Sequence, residues 1–328
     1  MSDTRVTLER PLGPILVTGA NGFVGRAVVD HLKRQGRAVR GAVRAARQRD
    51  AHGATDTRPS PDLDARADWS ALLEACDAVV HTAARVHVMH EQATDALAAF
   101  RAVNVDGTLR LARQAADAGV RRFIFISSIK VNGERTEAGR PFTADDAPAP
   151  VDAYGRSKAE AEDALRRLAT DTDMEVTIIR PPLVYGPGVK ANFRSLIRCL
   201  ERGIPLPLGA VTENRRSLLG LDNLVDLIAL CLVHRSAGNQ TFLAADGEDL
   251  STAELLRRLA RAIGVSARLL PVPMWMLEGA GRLLGKEAVV QRVCGDLQVD
   301  IGKTRERLGW RPPVGVDAGL ARVGESDG

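Results

Sequence analysis

The sequence predicts an α/β fold, a doubly wound parallel sheet with a smaller mixed C-terminal lobe, and three observations predict it. Short apolar, β-prone runs alternate with longer amphipathic stretches over the first 180 residues, the pattern of parallel strands joined by helical crossovers. The first run passes through a glycine-rich turn straight into a helix-like stretch, where sheets of this kind receive ligands. After Arg180 the rhythm breaks, with Pro181, Pro182, Pro187, Pro205 and Pro207 punctuating the chain.

The apolar runs at residues 14–18, 38–43, 78–81, 122–126 and 175–179 read as strands. Between them, 24–34, 96–118 and 154–168 carry helical spacing, and right-handed crossovers follow from that alternation. Beyond residue 180 mixed helices are expected with one clear strand, 240–244. Neither an internal repeat nor a low-complexity linker separates the two parts, so they are expected to pack along a cleft.

Composition narrows the function classes. Of 328 residues 45% are hydrophobic and 26% charged, values of a water-soluble globular chain. The most apolar stretch, 224–233, contains Asp226 and is too short to cross a bilayer, and the polar N-terminus MSDTRVTLER carries no export signal. Net charge is +4, from 45 basic against 41 acidic residues, with 4% aromatics and no basic block, which argues against nucleic acid as a partner. Only six of the basic residues are Lys, so each lysine is a rarer event than an arginine. Cys76, Cys199, Cys231 and Cys294 are dispersed, giving neither a zinc site nor a disulfide framework and fitting a reducing cytoplasm. His87 and His90 lie three apart without carboxylates or cysteines to complete a metal site, and they read as a surface loop. The apolar stretch 273–284, with Trp275, Leu277, Leu283 and Leu284, reads as packing or a lobe contact more than a membrane anchor.

Three motifs carry chemistry. Thr18-Gly19-Ala20-Asn21-Gly22-Phe23-Val24-Gly25 joins the first strand to a helix; its glycines permit a tight turn and close approach, and the helix N-terminus receives a pyrophosphate. Tyr154-Gly155-Arg156-Ser157-Lys158 sets a phenol and an ammonium four residues apart on one helix face, where a cation can lower the phenol pKa for proton exchange with an alcohol. Ser127 and Ser128 follow the strand 122–126 at its carboxyl end, where sites in parallel sheets open.

With these motifs, Ala83-Ala84, Asn104 in Val103-Asn104-Val105-Asp106-Gly107-Thr108, and Arg180-Pro181-Pro182-Leu183-Val184-Tyr185-Gly186-Pro187, the chain resembles the extended short-chain dehydrogenase/reductase family, in its sugar-nucleotide epimerase, dehydratase and ketoreductase branch. The resemblance covers essentially everything after residue 12. It implies a Rossmann dinucleotide-binding domain at 12–180, to which the chain returns at about 218–246, and a substrate lobe from 181–217 and 247–322.

It further implies Ser128, Tyr154 and Lys158 as catalytic: Tyr154 the acid/base, Lys158 holding the nicotinamide ribose, Ser128 bonding the reacting oxygen. Gly19, Asn21, Gly22, Phe23, Val24, Gly25, Arg44, Asp62, Leu63, Ala83, Ala84, Arg85, Ser127 and Pro181, with Tyr154 and Lys158, would contact the cofactor. Asp64 or Asp56 could stand in for Asp62. Lys130, Asn192, Arg216 and Arg292 would bind substrate, with Phe193 and Asp296 nearby, since guanidinium groups match diphosphate oxygens. A homodimer through the helices at 96–118 and 154–168 is also implied.

Lys130 stands where dehydratases of the family carry paired carboxylates, which argues against dehydration. The expected activity is 4-keto reduction of a UDP-linked 6-deoxy-N-acetylhexosamine in surface polysaccharide (lipopolysaccharide) synthesis, with UDP-sugar or UDP-N-acetylhexosamine 4-epimerisation as the alternative. A non-catalytic dinucleotide sensor or assembly protein is a third reading, and the retained Tyr154 and Lys158 weigh against it. The second strand ends without an acid while Arg44 and Arg47 follow, so NADP is expected as cofactor, with NAD the alternative.

Overall fold

The structure, a computed structural model, describes residues 12–44, 56–86, 95–189 and 191–324, with Ala191 and Asn192 described by their backbone alone. Arg47, His87 and His90 lie outside the described residues. Strands β1 (Ile15–Thr18), β2 (Val39–Arg44), β3 (Asp56–Ser60), β4 (Ala78–His81), β5 (Arg122–Ile126) and β6 (Glu175–Arg180) lie parallel in one sheet. After β7 (Leu183–Tyr185) and β8 (Arg216–Gly220), β9 (Gln240–Leu243) returns to pair in parallel with β6. The seven-stranded order is β3-β2-β1-β4-β5-β6-β9. It reverses between β1 and β4, which opens a crevice at their carboxyl ends.

Side chains alternate across this sheet as the pleat requires. Ile15 and Val17 face α1 (Phe23–Arg34) and, later in the chain, α7 (Leu221–Val233), in a core with Val28, Leu224 and Ile228. Leu16, Phe123 and Phe125 face the opposite way, toward Leu111 and Leu165 of α4 (Thr108–Asp117) and α5 (Ala153–Asp171). Strands buried on both faces need continuous apolar runs, so β1, β4 and β5 are visible in the sequence. The exception is β3, with the sequence DTRPS at the sheet edge, where a proline is tolerated. Its Asp56 accepts from the buried Arg40 of β2 at 2.8 Å, while the same guanidinium donates to the carbonyls of Leu72, in α2 (Ser70–Leu73), and Glu74.

The single helix expected over 96–118 is three pieces: α3 (Ala96–Arg101), a π-helical turn (Ala102–Gly107) and α4. The cause is a close crossing. A Cβ on Gly107 would sit 2.6 Å from the Leu63 backbone, and the widened turn buries the Asn104 side chain.

Beyond residue 180 the structure holds more strand than expected. Besides β9, a three-stranded sheet is ordered β10-β8-β7, with β10 (Asp249–Leu250) antiparallel and β7 parallel to β8. Helices α6 (Ala191–Glu201), α8 (Thr252–Ala262), α9 (Met274–Leu283), α10 (Glu287–Cys294), α11 (Gly302–Leu308) and α12 (Val316–Gly324) complete the chain. Phe193, Leu218, Leu256, Leu259 and Leu320 form the core of this lobe around Tyr185. Among the described residues no helix is long and apolar enough to cross a membrane, and no group of His, Cys, Asp and Glu could hold a metal ion.

Candidate active site

The crevice is built by close backbone approach. Gly19 takes φ +66°, and a Cβ there would meet the Ala83 backbone at 3.1 Å. A Cβ on Gly25 would lie 2.1 Å from the Gly19 carbonyl oxygen, so neither position admits a side chain. The Gly22 amide donates to the Gly19 carbonyl at 2.8 Å, and Gly22 caps α1 without any side-chain cap. The α1 N-terminus therefore keeps donors for an anion. The Thr82 hydroxyl donates to the Thr18 carbonyl at 2.6 Å, tying β4 to β1. A turn with no room for Cβ atoms and an uncapped helix end fit a dinucleotide pyrophosphate.

Around this turn stand Asn21, Phe23 and Val24, the latter two packed against the core. Arg44 ends β2 exposed; after β3, Asp62 is exposed and Leu63 half-buried. Arg44 thus lies at the carboxyl end of the strand beside β1, and Asp62 and Leu63 follow the edge strand one step further out. Ala83, Ala84 and Arg85 follow β4, and Asn104 fixes their path: its Oδ1 accepts from the Arg85 amide at 2.8 Å and its Nδ2 donates to the Arg85 carbonyl and the Ser157 hydroxyl, each at 3.0 Å. The π-helical turn thus joins the crevice wall to α5.

Ser128, Tyr154 and Lys158 come together at the carboxyl end of β5. Asp152 caps α5 by accepting from the Gly155 amide at 2.7 Å, which sets Tyr154 in the first turn and Lys158 one turn on. The Tyr154 phenol is hydrogen-bonded to Ser128, and its ring meets Phe100 edge-on at 6.0 Å. Lys158 is buried; its Nζ donates to the Ile126 carbonyl at 2.8 Å and lies 4.4 Å from the Phe125 ring centroid.

The electrostatics differ from the expectation of a cation-activated phenol. Burial pushes the Tyr154 phenol up to about 12, the Asp152 carboxylate pushes the same way, and the Ser128 bond opposes both. Burial brings the Lys158 ammonium down to about 7, against the pull of Glu162. A lysine so easily neutralised and turned toward a main-chain carbonyl does not depress the phenol in this state.

Two residues placed in the site by sequence are otherwise engaged. The Lys130 ammonium pairs with Glu134 at 2.9 Å and Asp152 at 2.5 Å, so it neutralises the carboxylate that caps the catalytic helix. The buried Ser127 hydroxyl donates to Glu162 at 2.5 Å. Glu162, fully buried, also takes Arg180 at 2.6 Å and Arg166 at 2.7 Å, and Arg180 donates to Asn132 at 2.9 Å. The Pro181 carbonyl accepts from the Ile129 amide at 3.0 Å, holding the turn after Ser128. Glu162, Asn132 and Asp152 escape sequence reasoning, although Glu162 continues the four-residue spacing of Tyr154 and Lys158 along one helix face.

In the smaller lobe Arg216 begins β8 and donates to the Gly295 carbonyl at 2.9 Å. Burial lowers its pKa, Asp296 opposes that, and the nearby Arg292 charge adds to it. The Arg216 guanidinium is thus held by a main-chain carbonyl while feeling a second positive charge from Arg292. The Asp296 carboxylate accepts from the Arg215 amide at 2.6 Å, fixing the strand approach. Asn192 lies in α6, its side chain outside what is described.

A model of the NAD dependent epimerase/dehydratase family matches residues 15–245. The chain is 49% identical over 313 residues to a UDP-glucose 4-epimerase of Vibrio cholerae, covering 95% of this chain and 94% of that one. It is 26% identical to an N-acetyl-α-D-glucosaminyl-diphospho-ditrans,octacis-undecaprenol 4-epimerase of Escherichia coli O157:H7, covering 94% and 93% of the two chains. Among solved structures, a short-chain dehydrogenase/reductase superfamily protein of Agrobacterium tumefaciens with bound NAD superposes with a TM-score of 0.74 at 25% identity, covering 95% of this chain and 96% of that one.

Proposed function

Because this chain belongs to the NAD dependent epimerase/dehydratase family, we propose that it is a UDP-sugar 4-epimerase working with NAD on a UDP-linked hexose or N-acetylhexosamine. The observation that carries this reading is Tyr154 hydrogen-bonded to Ser128, one helical turn from the buried Lys158, at the crevice between β1 and β4. Sequence alone ranks 4-keto reduction first. The 49% identity to an epimerase over nearly the whole chain reverses that order, and the NAD of the solved relative favours NAD over the NADP expected from Arg44.

The pyrophosphate would rest on the α1 N-terminus and the Gly19–Gly25 turn, with Lys158 and Tyr154 toward the nicotinamide ribose. When bound, the nicotinamide supplies a site that takes up and returns a hydride. The protein's own part is proton transfer and orientation. Tyr154, as its phenolate, takes the proton of the sugar 4-hydroxyl and, as the phenol so formed, gives it back, while Ser128 bonds the same oxygen and limits its position. Arg216 and Arg292 hold the diphosphate, leaving the sugar end free to present either face. We further infer a homodimer through α4 and α5, which light scattering on the purified chain tests.

The test of the activity is interconversion of UDP-glucose with UDP-galactose, and of their N-acetyl counterparts, followed by proton NMR without added reductant. Turnover many-fold beyond the protein concentration supports the epimerase. Product formed only in proportion to added NADH or NADPH, from a 4-keto substrate, restores the reductase instead.

A further inference from the structure

The α9–α10 hairpin presents an apolar tip that nothing in the catalytic reading uses. Of the ten exposed large hydrophobic residues among those described, six fall within 270–289: Leu270, Trp275, Met276, Leu283, Leu284 and Val289. Leu283 is 87% exposed, Leu284 67% and Trp275 72%. The two helices are locked together at Gly281, where a Cβ would sit 2.7 Å from Val290. They reverse at Gly285, φ +61°, so that Leu283, Leu284 and Lys286 form the turn. The exposed residues run along α9 to the turn, a convex surface and not a groove.

We propose that the outer face of α9, where Trp275, Met276 and Leu283 follow the i, i+1, i+8 spacing of one helix side, lies on an anionic phospholipid surface, with these side chains and Leu284 entering the acyl boundary. Monomeric proteins rarely expose so concentrated a patch without a partner. The charges beside it choose among partners. Arg268, Arg282, Lys286 and Arg292 are exposed over the same segment, against Glu278 and Glu287, a surplus of positive charge. Leucine and tryptophan flanked by Arg and Lys are the composition of a surface that lies on a membrane, and the same surplus of positive charge would repel a second copy of this face. The sequence reading of 273–284 as a packing contact is thereby revised, since its largest side chains point outward.

The base of the hairpin belongs to the substrate end of the molecule. Cys294 ends α10, and the next residue, Gly295, is the acceptor of Arg216. Eight residues of helix at about 1.5 Å each put the tip on the order of 12 Å from that anion grip. Docking would therefore hold the site beside the lipid headgroups.

Trp275 is its own reporter, because Trp69 and Trp310 are buried at 1% and 3% exposure. The full chain is titrated with phosphatidylcholine vesicles with and without phosphatidylglycerol, while tryptophan emission and quenching by brominated acyl chains are followed. The expected result is a blue shift and quenching on phosphatidylglycerol vesicles. Partition should fall at least tenfold for Leu283→Glu with Leu284→Glu, and for Arg282→Glu with Lys286→Glu, with melting temperature and turnover of soluble UDP-sugar unchanged. No shift on either vesicle, or equal partition on both, overturns the proposal. So does a concentration-dependent dimer that the leucine variant dissolves, which would make a second copy the occupant.

Discussion

Lys158 donates from its ammonium to the main-chain carbonyl of Ile126 at 2.8 Å, at the carboxyl end of the internal strand β5. This bond aims the amine across the helix face toward the sheet, where burial and not a carboxylate governs its charge.

A stability consequence follows from that burial. The ammonium sits at about 7 in the fold against an ordinary 10.5. Between those values the unfolded chain holds a proton that the folded chain has lost, so stability rises with pH through that window, and below about 7 the full burial penalty applies. A tenfold change in a proton affinity corresponds to about 1.4 kcal/mol, and losing the carbonyl bond costs about 1 kcal/mol. Lys158→Met should therefore be inactive yet more stable, with a melting temperature several degrees higher at pH 6 and a smaller gain near pH 10. Calorimetry across that range checks it, and equal gains at both ends would contradict the assignment.

Tyr154 should carry the proton. Tyr154→Phe removes only the transferring oxygen, and turnover should drop roughly 10²–10⁴-fold with cofactor affinity retained. The neighbouring pair gives a finer test. Asp152 raises the phenol pKa and Lys130 offsets Asp152. Asp152→Asn keeps a capping side chain and should move the rising limb of the pH–rate profile, set by ionisation of the Tyr154 base, to lower pH, whereas Lys130→Met should move it higher. Identical profiles for the two variants would separate Lys130 from the catalytic electrostatics.

The sequence reveals those parts whose chemistry is local. The glycine turn, β1, β4 and β5 announce themselves because a buried parallel strand must be apolar throughout and a close turn must be glycine. What stays hidden depends on distant partners. The strand β3 is polar and is recruited by the Arg40 to Asp56 pair. The π-helical turn exists because Gly107 meets Leu63, 44 positions earlier. Tyr185, within the Val184-Tyr185-Gly186-Pro187 run, is a buried phenol that donates to Asp246 at 2.8 Å, a contact 61 residues away. Likewise the lysine of Tyr154-x-x-x-Lys158 is found by its spacing, but its electrostatic state follows from Ile126 and Phe125, which spacing does not report.

Substrate grip is tested at Arg216. Charge-assisted bonds to a diphosphate contribute about 1.5–3 kcal/mol each, so Arg216→Ala should weaken UDP binding by roughly 10- to 150-fold. Affinity for the dinucleotide should stay within a few-fold, because the α1 N-terminus and Arg216 belong to different lobes. Calorimetric titration of UDP and of NADH into both proteins distinguishes these. An unchanged UDP affinity would leave Arg216 with only its structural bond to Gly295.

Cofactor choice bears on the reaction itself. A preference for NADP rests on Arg44 and Arg47, of which Arg44 ends β2 exposed. Against it stands Asp62, exposed two residues beyond β3, the strand beside β2. If that carboxylate reaches the adenosine ribose, it would accept from the ribose hydroxyls and repel a 2′-phosphate, as the acid ending the second strand does in NAD-binding members of this fold. Asp56, one of the two acids that could stand in for Asp62, is bound by Arg40 at 2.8 Å and Arg58 at 3.0 Å, which lower its pKa against burial and leave it committed to the sheet. The expected outcome is that NADH binds as tightly as NADPH or more so, and that Arg44→Ala changes NADH affinity less than about threefold, a neutral-ribose contact being worth little. Asp62→Ala should weaken NADH and strengthen NADPH, because one change removes an acceptor and a repulsion together. Fluorescence titration of the reduced nicotinamides into the three proteins measures all of this. A wild type that binds NADPH tenfold tighter, with the difference lost in Arg44→Ala, would instead return the chain to a consumer of reductant and put 4-keto reduction ahead of epimerisation.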